Sequence, residues 1–154
     1  MSTRAIKHLN KKGKKFKVVE YEHDAKGAEF AARAIGFPLE RTIKTLVVDL
    51  GNKKYSFALM PGDKQLALKK LAKVCDVKRA AMVDTATAER LTGYLVGGIS
   101  PFGAKQNLRA VIEESLLKFD NVAINAGKRG VMLIMKPGDI VKALDCDVAW
   151  IVQE

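Results

Sequence analysis

Seven consecutive positions, Gly97 to Gly103, hold three glycines, a serine and a proline, and neither a helix nor a core strand can run through such a stretch. Any fold open to this chain must break here and carry a loop between two elements. The wider run Thr92 to Gly103 also contains Tyr94, Leu95, Val96, Ile99 and Phe102, so the loop is expected to pack down and be ordered. Glycine lets a backbone approach a ligand closely, Pro101 stiffens the turn, and N–H groups in such a loop can face an anionic or carbonyl oxygen. The segment reads as a binding loop rather than an ordinary connection. It does not read as the phosphate loop of a nucleotide triphosphatase. Gly98 and Gly103 have the spacing, but Ala104 stands where lysine is needed and no Ser or Thr follows Lys105.

The 154 residues, 48% of them hydrophobic, suffice for one well-buried core and are too few for two comfortable domains, so residues 1–154 are expected to form a single domain. No apolar stretch approaches the roughly 20 residues needed to span a bilayer. Met1 to Lys15 is basic and lacks the apolar centre of a signal peptide, so a cytoplasmic protein with no membrane partner is expected. Cys75 and Cys146 have no Cys-x-x-Cys partner and read as reduced structural thiols. No His, Cys, Asp or Glu cluster has metal-ligand spacing, and neither a metal nor a cofactor is expected. Charge points to an anionic partner: 27 Lys and Arg against 17 Asp and Glu give a net charge of +10, which favours nucleic acid or another polyanion. A helix over the first dozen residues places Arg4, Lys7 and Lys11 on one face as a basic stripe.

The hydrophobic period switches often along the chain. Ile6 and Leu9 suit a first helix, Phe16 to Tyr21 reads as a strand, and Ala28 to Ile35 reads as a helix closed by Gly36. Thr42 to Leu50 and Tyr55 to Met60 form a hairpin across Gly51-Asn52-Lys53-Lys54. Leu66 to Cys75 has helical spacing, Ala80 to Val83 suits a short strand, and Thr85 to Leu91 is a helix capped by Asp84 or Thr85 and ending at Gly93. Strands are expected at Leu108 to Ile112, Val122 to Asn125 and Val131 to Met135, the last two joined by the basic turn Ala126 to Gly130. A helix Gly138 to Leu144 follows Pro137, and Val148 to Val152 closes the chain as a strand. The fold class is α+β, a single, mostly antiparallel, barrel-like sheet with surrounding helices.

Lys44 breaks the pattern of the hairpin. By alternation it shares a face with Leu46, Val48 and Leu50, so burial of that face leaves an ammonium at its mouth. Such a lysine either snorkels at the strand end or supplies charge to a pocket beside the glycine loop. Other reactive groups are scarce. His8 lies in the basic amino-terminal helix and His23 in a turn-like segment, while Ser100 has no assignable base.

Tyr21-Glu-His-Asp24, Thr42-Ile-Lys44-Thr45-Leu46, the Thr92 to Gly103 run and Gly127-Lys-Arg-Gly130, in this order, resemble the YbaK/EbsC family of free-standing aminoacyl-tRNA deacylases. The resemblance spans almost the whole chain, and its Gly-Gly-x-Ser-Pro loop and Lys-Thr pair are specific. It implies relation to the editing domain of bacterial prolyl-tRNA synthetases, and an activity that clears wrongly charged tRNA, typically cysteinyl-tRNA for proline. It implies Lys44 as the central site residue with Thr45 beside it. Gly97, Gly98, Ile99, Ser100 and Pro101 would form the loop that receives the ester, and Tyr21 and Phe30 would wall the pocket. Arg4, Lys7, Lys11, Lys128 and Arg129 would hold the tRNA acceptor end, with prolyl-tRNA synthetase as a further partner.

In cysteine-specific relatives the resemblance implies that the substrate's own thiol attacks its ester and leaves as a thiolactone, so the protein needs no nucleophile. One position departs from the pattern. Many such relatives have Leu-Asp after Gly-Lys-Arg-Gly, whereas this chain has Val131-Met132 and no carboxylate until Asp139. A thioether cannot replace a carboxylate as hydrogen-bond acceptor, so this position bears on which amino acid is cleared. The residues leave two other readings open. A non-catalytic nucleic-acid-binding module would bind tRNA indifferently to Lys44→Ala, and a small-molecule hydrolase using Ser100 would be abolished by Ser100→Ala.

Overall fold

The computed structural model describes residues 2–22 and 27–154. His23 and Asp24 lie outside the described residues. In chain order the helices are α1 (Arg4–Lys11), α2 (Ala28–Ile35), α3 (Leu68–Val74), α4 (Thr85–Thr92) and α5 (Pro137–Leu144), with short 3-10 turns at Leu39–Arg41 and Glu114–Lys118. The strands are β1 (Lys17–Glu20), β2 (Ile43–Gly51), β3 (Lys54–Pro61), β4 (Ala81–Met82), β5 (Arg109–Glu113), β6 (Val122–Asn125), β7 (Val131–Met135) and β8 (Asp147–Ala149).

Strand β2 carries apolar residues at the successive positions Leu46, Val47 and Val48 because both of its faces are covered. Ile43 and Val47 enter one core with Phe57 and Leu59, while Val48 and Leu50 enter a second with Ala58, Met60 and Leu71. β2 and β3 pair antiparallel from Ile43↔Pro61 to Asp49↔Tyr55, with a bulge before Gly51↔Lys54. Asn52 and Lys53 turn the hairpin with φ of 53° and 61°, the left-handed values that a two-residue type I′ connection requires. The full sheet runs β4-β2-β3-β5-β8, and its β3–β5 and β5–β8 pairs are parallel.

The α+β class and the mostly antiparallel pairing are as expected from sequence, but the strands fall into two sheets rather than one. The second is antiparallel, in the order β1-β7-β6. It meets the first through an isolated parallel bridge between Thr42 and Ala123. Val122, Ile124, Val131, Leu133 and Met135 enter the same core as Ile43, Phe57 and Ile112, so the two sheets close around a shared interior. Past the bridge, β2 and β6 diverge. Ile43 to Leu46 on one strand and Asn125 on the other line a cleft, and that separation is what divides the expected single sheet. Outside the second sheet, α2 packs Ala31 on Ala123 and Met132, with Tyr21, Ile35 and Phe37 around them.

Helix ends follow their chemistry. Thr3 caps α1 through Ile6 N and donates from the same hydroxyl to Ala126 O at 2.6 Å, tying the helix to the basic turn. Asp84 accepts from Thr87 N at the start of α4, and Gly36 and Gly93 end their helices with left-handed φ. α3 starts at Leu68, later than its apolar spacing suggests, because Leu66 pairs with Val152 and Ala67 N donates to Ile151 O. The closing strand ends at Ala149, since Ile151 N donates to the buried Glu113 carboxylate at 2.9 Å instead of joining a ladder. The other carboxylate oxygen of Glu113 accepts from Ser115 N at 2.8 Å. Among the described residues, no helix is long and apolar enough to cross a membrane, and no three His, Cys, Asp or Glu side chains could hold a metal ion.

Glu113 is thus the clasp for the carboxy-terminal segment. Glu113→Ala leaves two N–H groups without acceptors and is expected to cost about 1–3 kcal/mol. Denaturant unfolding measures it, with Glu113→Gln intermediate because one oxygen remains to accept.

Candidate active site

The glycine loop is tied down by side chains from three directions. Val96 N donates to Glu89 Oε2 of α4 at 2.8 Å, and Val96 O accepts from Arg129 Nε at 2.7 Å. Gly97 O accepts from Asn125 Nδ2 at 3.1 Å, while Asn125 Oδ1 accepts from Gly127 N at 2.8 Å, so one amide fastens both the loop and the basic turn. Gly98 is pressed against that turn, and a Cβ there would stand 2.8 Å from Arg129 N and 2.9 Å from the carbonyl carbon of Lys128. Further on, Tyr94 Oη donates to Phe102 O at 2.5 Å, and Ser100 Oγ accepts from Phe102 N at 3.2 Å. The N–H groups of Gly97 and Ile99 have no such partner among the described residues.

Gly97 and Ile99 stand on the wall of a cleft of about 350 Å³, shared with Tyr21, Lys44, Thr45, Asn125 and Met132. Ala28, Ala31, Ile43, Leu46 and Val96 make the rest of its wall largely apolar. Lys44 lines the cleft beside Leu46, and the Val48 and Leu50 with which it alternates are buried. Burial lowers its ammonium's pKa from the ordinary 10.5, and the Asp63 carboxylate opposes that shift. Thr45 Oγ1 is buried with no hydrogen-bond partner among the described residues, an uncommon state for a hydroxyl on a cleft wall. Burial also raises the Tyr21 phenol above its usual range, although Gly130 supplies an opposing hydrogen bond.

Of the residues singled out from sequence, the cleft gathers Tyr21, Lys44, Thr45, Gly97 and Ile99. Phe30 stands behind Tyr21, with ring centroids 6.2 Å apart. Gly98, Ser100 and Pro101 are buried in the loop's own packing and are not on the cleft wall. Leu95, expected to pack down, is 65% exposed.

Two arginines of the expected tRNA-binding set have internal work. Arg4 donates to Thr92 O at 2.9 Å with its guanidinium 4.8 Å from the Tyr94 ring centroid, and Arg129 holds Val96. A guanidinium carries several donors in a fixed fork, which suits it to satisfying loop carbonyls. Lys7, Lys11 and Lys128 remain exposed. Asn125 and Met132 complete the cleft. Asn125 was not legible as a site residue, because a strand-end asparagine before glycine reads only as turn chemistry. Its Gly-rich neighbourhood was the available signal.

Gly98→Ala must push the loop off the basic turn, and is expected to destabilise by about 1–3 kcal/mol and speed hydrogen exchange over 95–103. Gly138→Ala, where an added Cβ meets nothing within 4 Å, is the matched control and leaves both unchanged or slightly improved.

Comparison with known proteins agrees with this geometry. Residues 22–143 match the model of the aminoacyl-tRNA editing domain. EbsC of Enterococcus faecalis, provisionally named a Cys-tRNA(Pro)/Cys-tRNA(Cys) deacylase, is 36% identical over 127 residues, covering 79% of this chain and 77% of that protein. The multifunctional Ser/Thr-tRNA deacylase ProXp-y of Escherichia coli is 31% identical over 143 residues, covering 90% of this chain and 85% of that one. A crystal structure provisionally described as a trans-editing enzyme for prolyl-tRNA synthetase superposes with a TM-score of 0.89 at 25% identity, covering 100% of this chain and 99% of the other. With more than half its length matched by the family model, the chain belongs to the aminoacyl-tRNA editing domain family.

Proposed function

We propose that the protein is an aminoacyl-tRNA deacylase that clears cysteinyl-tRNA for proline in the cytoplasm, alongside prolyl-tRNA synthetase. The observation that carries the choice of substrate is what the cleft wall lacks. Among its described residues there is no Ser, Cys, His, Asp or Glu, and Ser100 is buried with its oxygen taken by Phe102 N. A described wall whose polar side chains are Tyr21, Lys44, Thr45 and Asn125 offers no Ser, Cys or His nucleophile, which suits a substrate that brings its own thiol, as a cysteinyl ester does. That reading agrees with the name of EbsC.

The chemistry then needs only positioning and electrostatics. The cysteinyl thiolate attacks its own ester carbonyl and the carbon–sulfur bond closes a thiolactone. The carbon–oxygen bond to the ribose breaks, and the ribose oxygen leaves as a hydroxyl after taking up a proton. Lys44 holds the ester and offsets its developing charge, while the N–H groups of Gly97 and Ile99 face the carbonyl oxygen. Thr45 Oγ1 gains the partner it lacks, Tyr21 backed by Phe30 closes the side of the pocket, and Gly98, Ser100 and Pro101 keep the loop in shape. Lys7, Lys11 and Lys128 meet tRNA phosphates, with Arg4 and Arg129 adding charge from their fixed positions.

The test is deacylation of cysteinyl-, alanyl- and seryl-tRNA bearing the proline anticodon. Wild type is expected to prefer the cysteinyl substrate, and Lys44→Ala to lower kcat/KM on it by about 100-fold, the scale of losing one transition-state donor. Binding without turnover of any of the three would instead favour the non-catalytic module. Preference for the seryl ester would move the substrate toward that of ProXp-y.

The pH profile of the cysteinyl reaction should have two limbs. On the acid side the rate rises as the substrate thiol, ordinarily near pKa 8.5, ionises. On the alkaline side it falls as Lys44 loses its proton, and because burial lowers that pKa the fall comes below the ordinary 10.5. The alanyl ester, which has no thiol, shows no thiol-dependent acid limb.

A further inference from the structure

Three surface depressions away from the cleft are joined by shared walls. The first lies behind the glycine loop, between Pro101, Gly103 and the α1 residues His8 and Lys12. It shares Gln106, Asn107 and Leu108 with the second, which reaches the β2–β3 hairpin. The second shares Leu50, Lys54, Asp76 and Val77 with the third, which ends at Lys78 and Arg79. Together they form a grooved face of adjoining depressions from the glycine loop to the tip of the hairpin, called the groove below.

The groove is strongly cationic. Lys12, Lys53, Lys54, Lys78, Arg79 and Arg109 face it, against the single carboxylate of Asp76. Arg109 is neutralised by Asp147 at 2.8 Å, but the other five have no acidic partner among the described residues. Like charges on one concave wall repel one another until an anion lies between them. Amide side chains of Asn52, Gln106 and Asn107 interleave with the cations, a composition suited to phosphate and sugar oxygens. The one Phe, Tyr or Trp ring on these walls is Tyr55, which packs against the main core, so there is no platform for stacking unpaired bases.

We propose that this groove binds the sugar–phosphate backbone of the duplex stem of the tRNA whose 3′ end occupies the Lys44 cleft. The inference rests on the tRNA substrate of the preceding section and adds a surface separate from Lys7, Lys11 and Lys128. Strand β2 connects the two sites: Lys44 lines the cleft and Leu50 lines the groove, six residues on, or about 20 Å at 3.3 Å per residue. A ligand that fills both must be extended, as a tRNA arm is and a lone aminoacyl nucleoside is not.

The experiment measures binding of uncharged tRNA to wild type and to the triple variant Lys54→Ala, Lys78→Ala, Arg79→Ala over a range of salt. Lys53 is left in place because its left-handed φ of 61° belongs to the turn. The triple variant should bind at least about 10-fold more weakly, with a log–log salt slope shallower by about three. A companion Lys54→Arg, Lys78→Arg, Arg79→Lys keeps the charge and should bind as wild type does, which separates charge from folding. Hydrolysis of a short aminoacyl ester of adenosine should be the same in all three proteins, as should binding of a single-stranded oligonucleotide ending in the tRNA 3′ sequence. Unchanged tRNA affinity and salt slope in the alanine variant would overturn the proposal, and so would an equal loss for the single strand. Failure of the wild type to deacylate any aminoacyl-tRNA would count against the deacylase reading alone, because the binding comparison stands without turnover.

Discussion

The geometry of the cleft depends on the contact between the glycine loop and the basic turn. Gly98 approaches Lys128 and Arg129 to a distance at which no side chain fits. Close approach of two backbones strands polar groups unless partners are supplied, and here side chains supply them: Arg129 to Val96 O, Asn125 to Gly97 O and Gly127 N, Glu89 to Val96 N. Because each tether comes from a helix, a strand end or a short turn, the loop is held by the scaffold and not by its own stiffness. The ties also leave a remainder. Val96 and Gly98 N–H are occupied, while those of Gly97 and Ile99, two residues of the cleft wall, have no partner among the described residues.

A second constraint sets the charge in that cleft. Lys44 stands near the start of a strand with two buried faces, is itself half-buried, and lines the cleft. Burial destabilises the ammonium and Asp63 partly restores it. The outcome is a positive charge poorly matched by its surroundings, which gains more from a developing negative charge than a fully solvated lysine would. The unpartnered Thr45 hydroxyl is of the same kind: two adjacent β2 residues have unmet electrostatic demand on one wall.

Much of this was legible in the sequence where local chemistry decides it. Gly36 ends α2 and Asp84 caps α4 because a backbone conformation or an exposed N–H at those places admits few residue types, and the hairpin turns where Gly51-Asn52 signals it, although Lys53 takes a left-handed φ that lysine seldom adopts. β6 and β7 lie at the expected bounds, since alternation and length suffice. What could not be read was set by distant partners. The parallel alignment of β5 with β3 and β8 has no local signature, and neither does the parting of β2 from β6 that opens the cleft. The candidate site shows the same division. Tyr21, Lys44, Thr45, Gly97 and Ile99 do share a wall, whereas Arg4 and Arg129 read as free surface charge and are bonded inward to Thr92 and Val96. Charge counts report how many cations there are, not which carbonyl each one meets.

Met132 brings these constraints together. It is 2% exposed, held under α2 with Ala31 and Ala123, yet it also reaches the cleft wall that bears Lys44. A carboxylate at that depth would need a cation or several donors to offset its desolvation, and Lys44 would be the obvious partner. With a thioether instead, no described carboxylate on the wall competes with the substrate for the ammonium. Selection among small aminoacyl groups then falls to shape and to the substrate's own reactivity. A methylene-sized difference in an apolar pocket is worth only about 1–3 kcal/mol, so fit alone discriminates weakly. On the proposed cysteinyl substrate, a thiol that can attack its own ester differs from a methyl or hydroxyl in the reaction itself, and reactivity would then be the stronger filter.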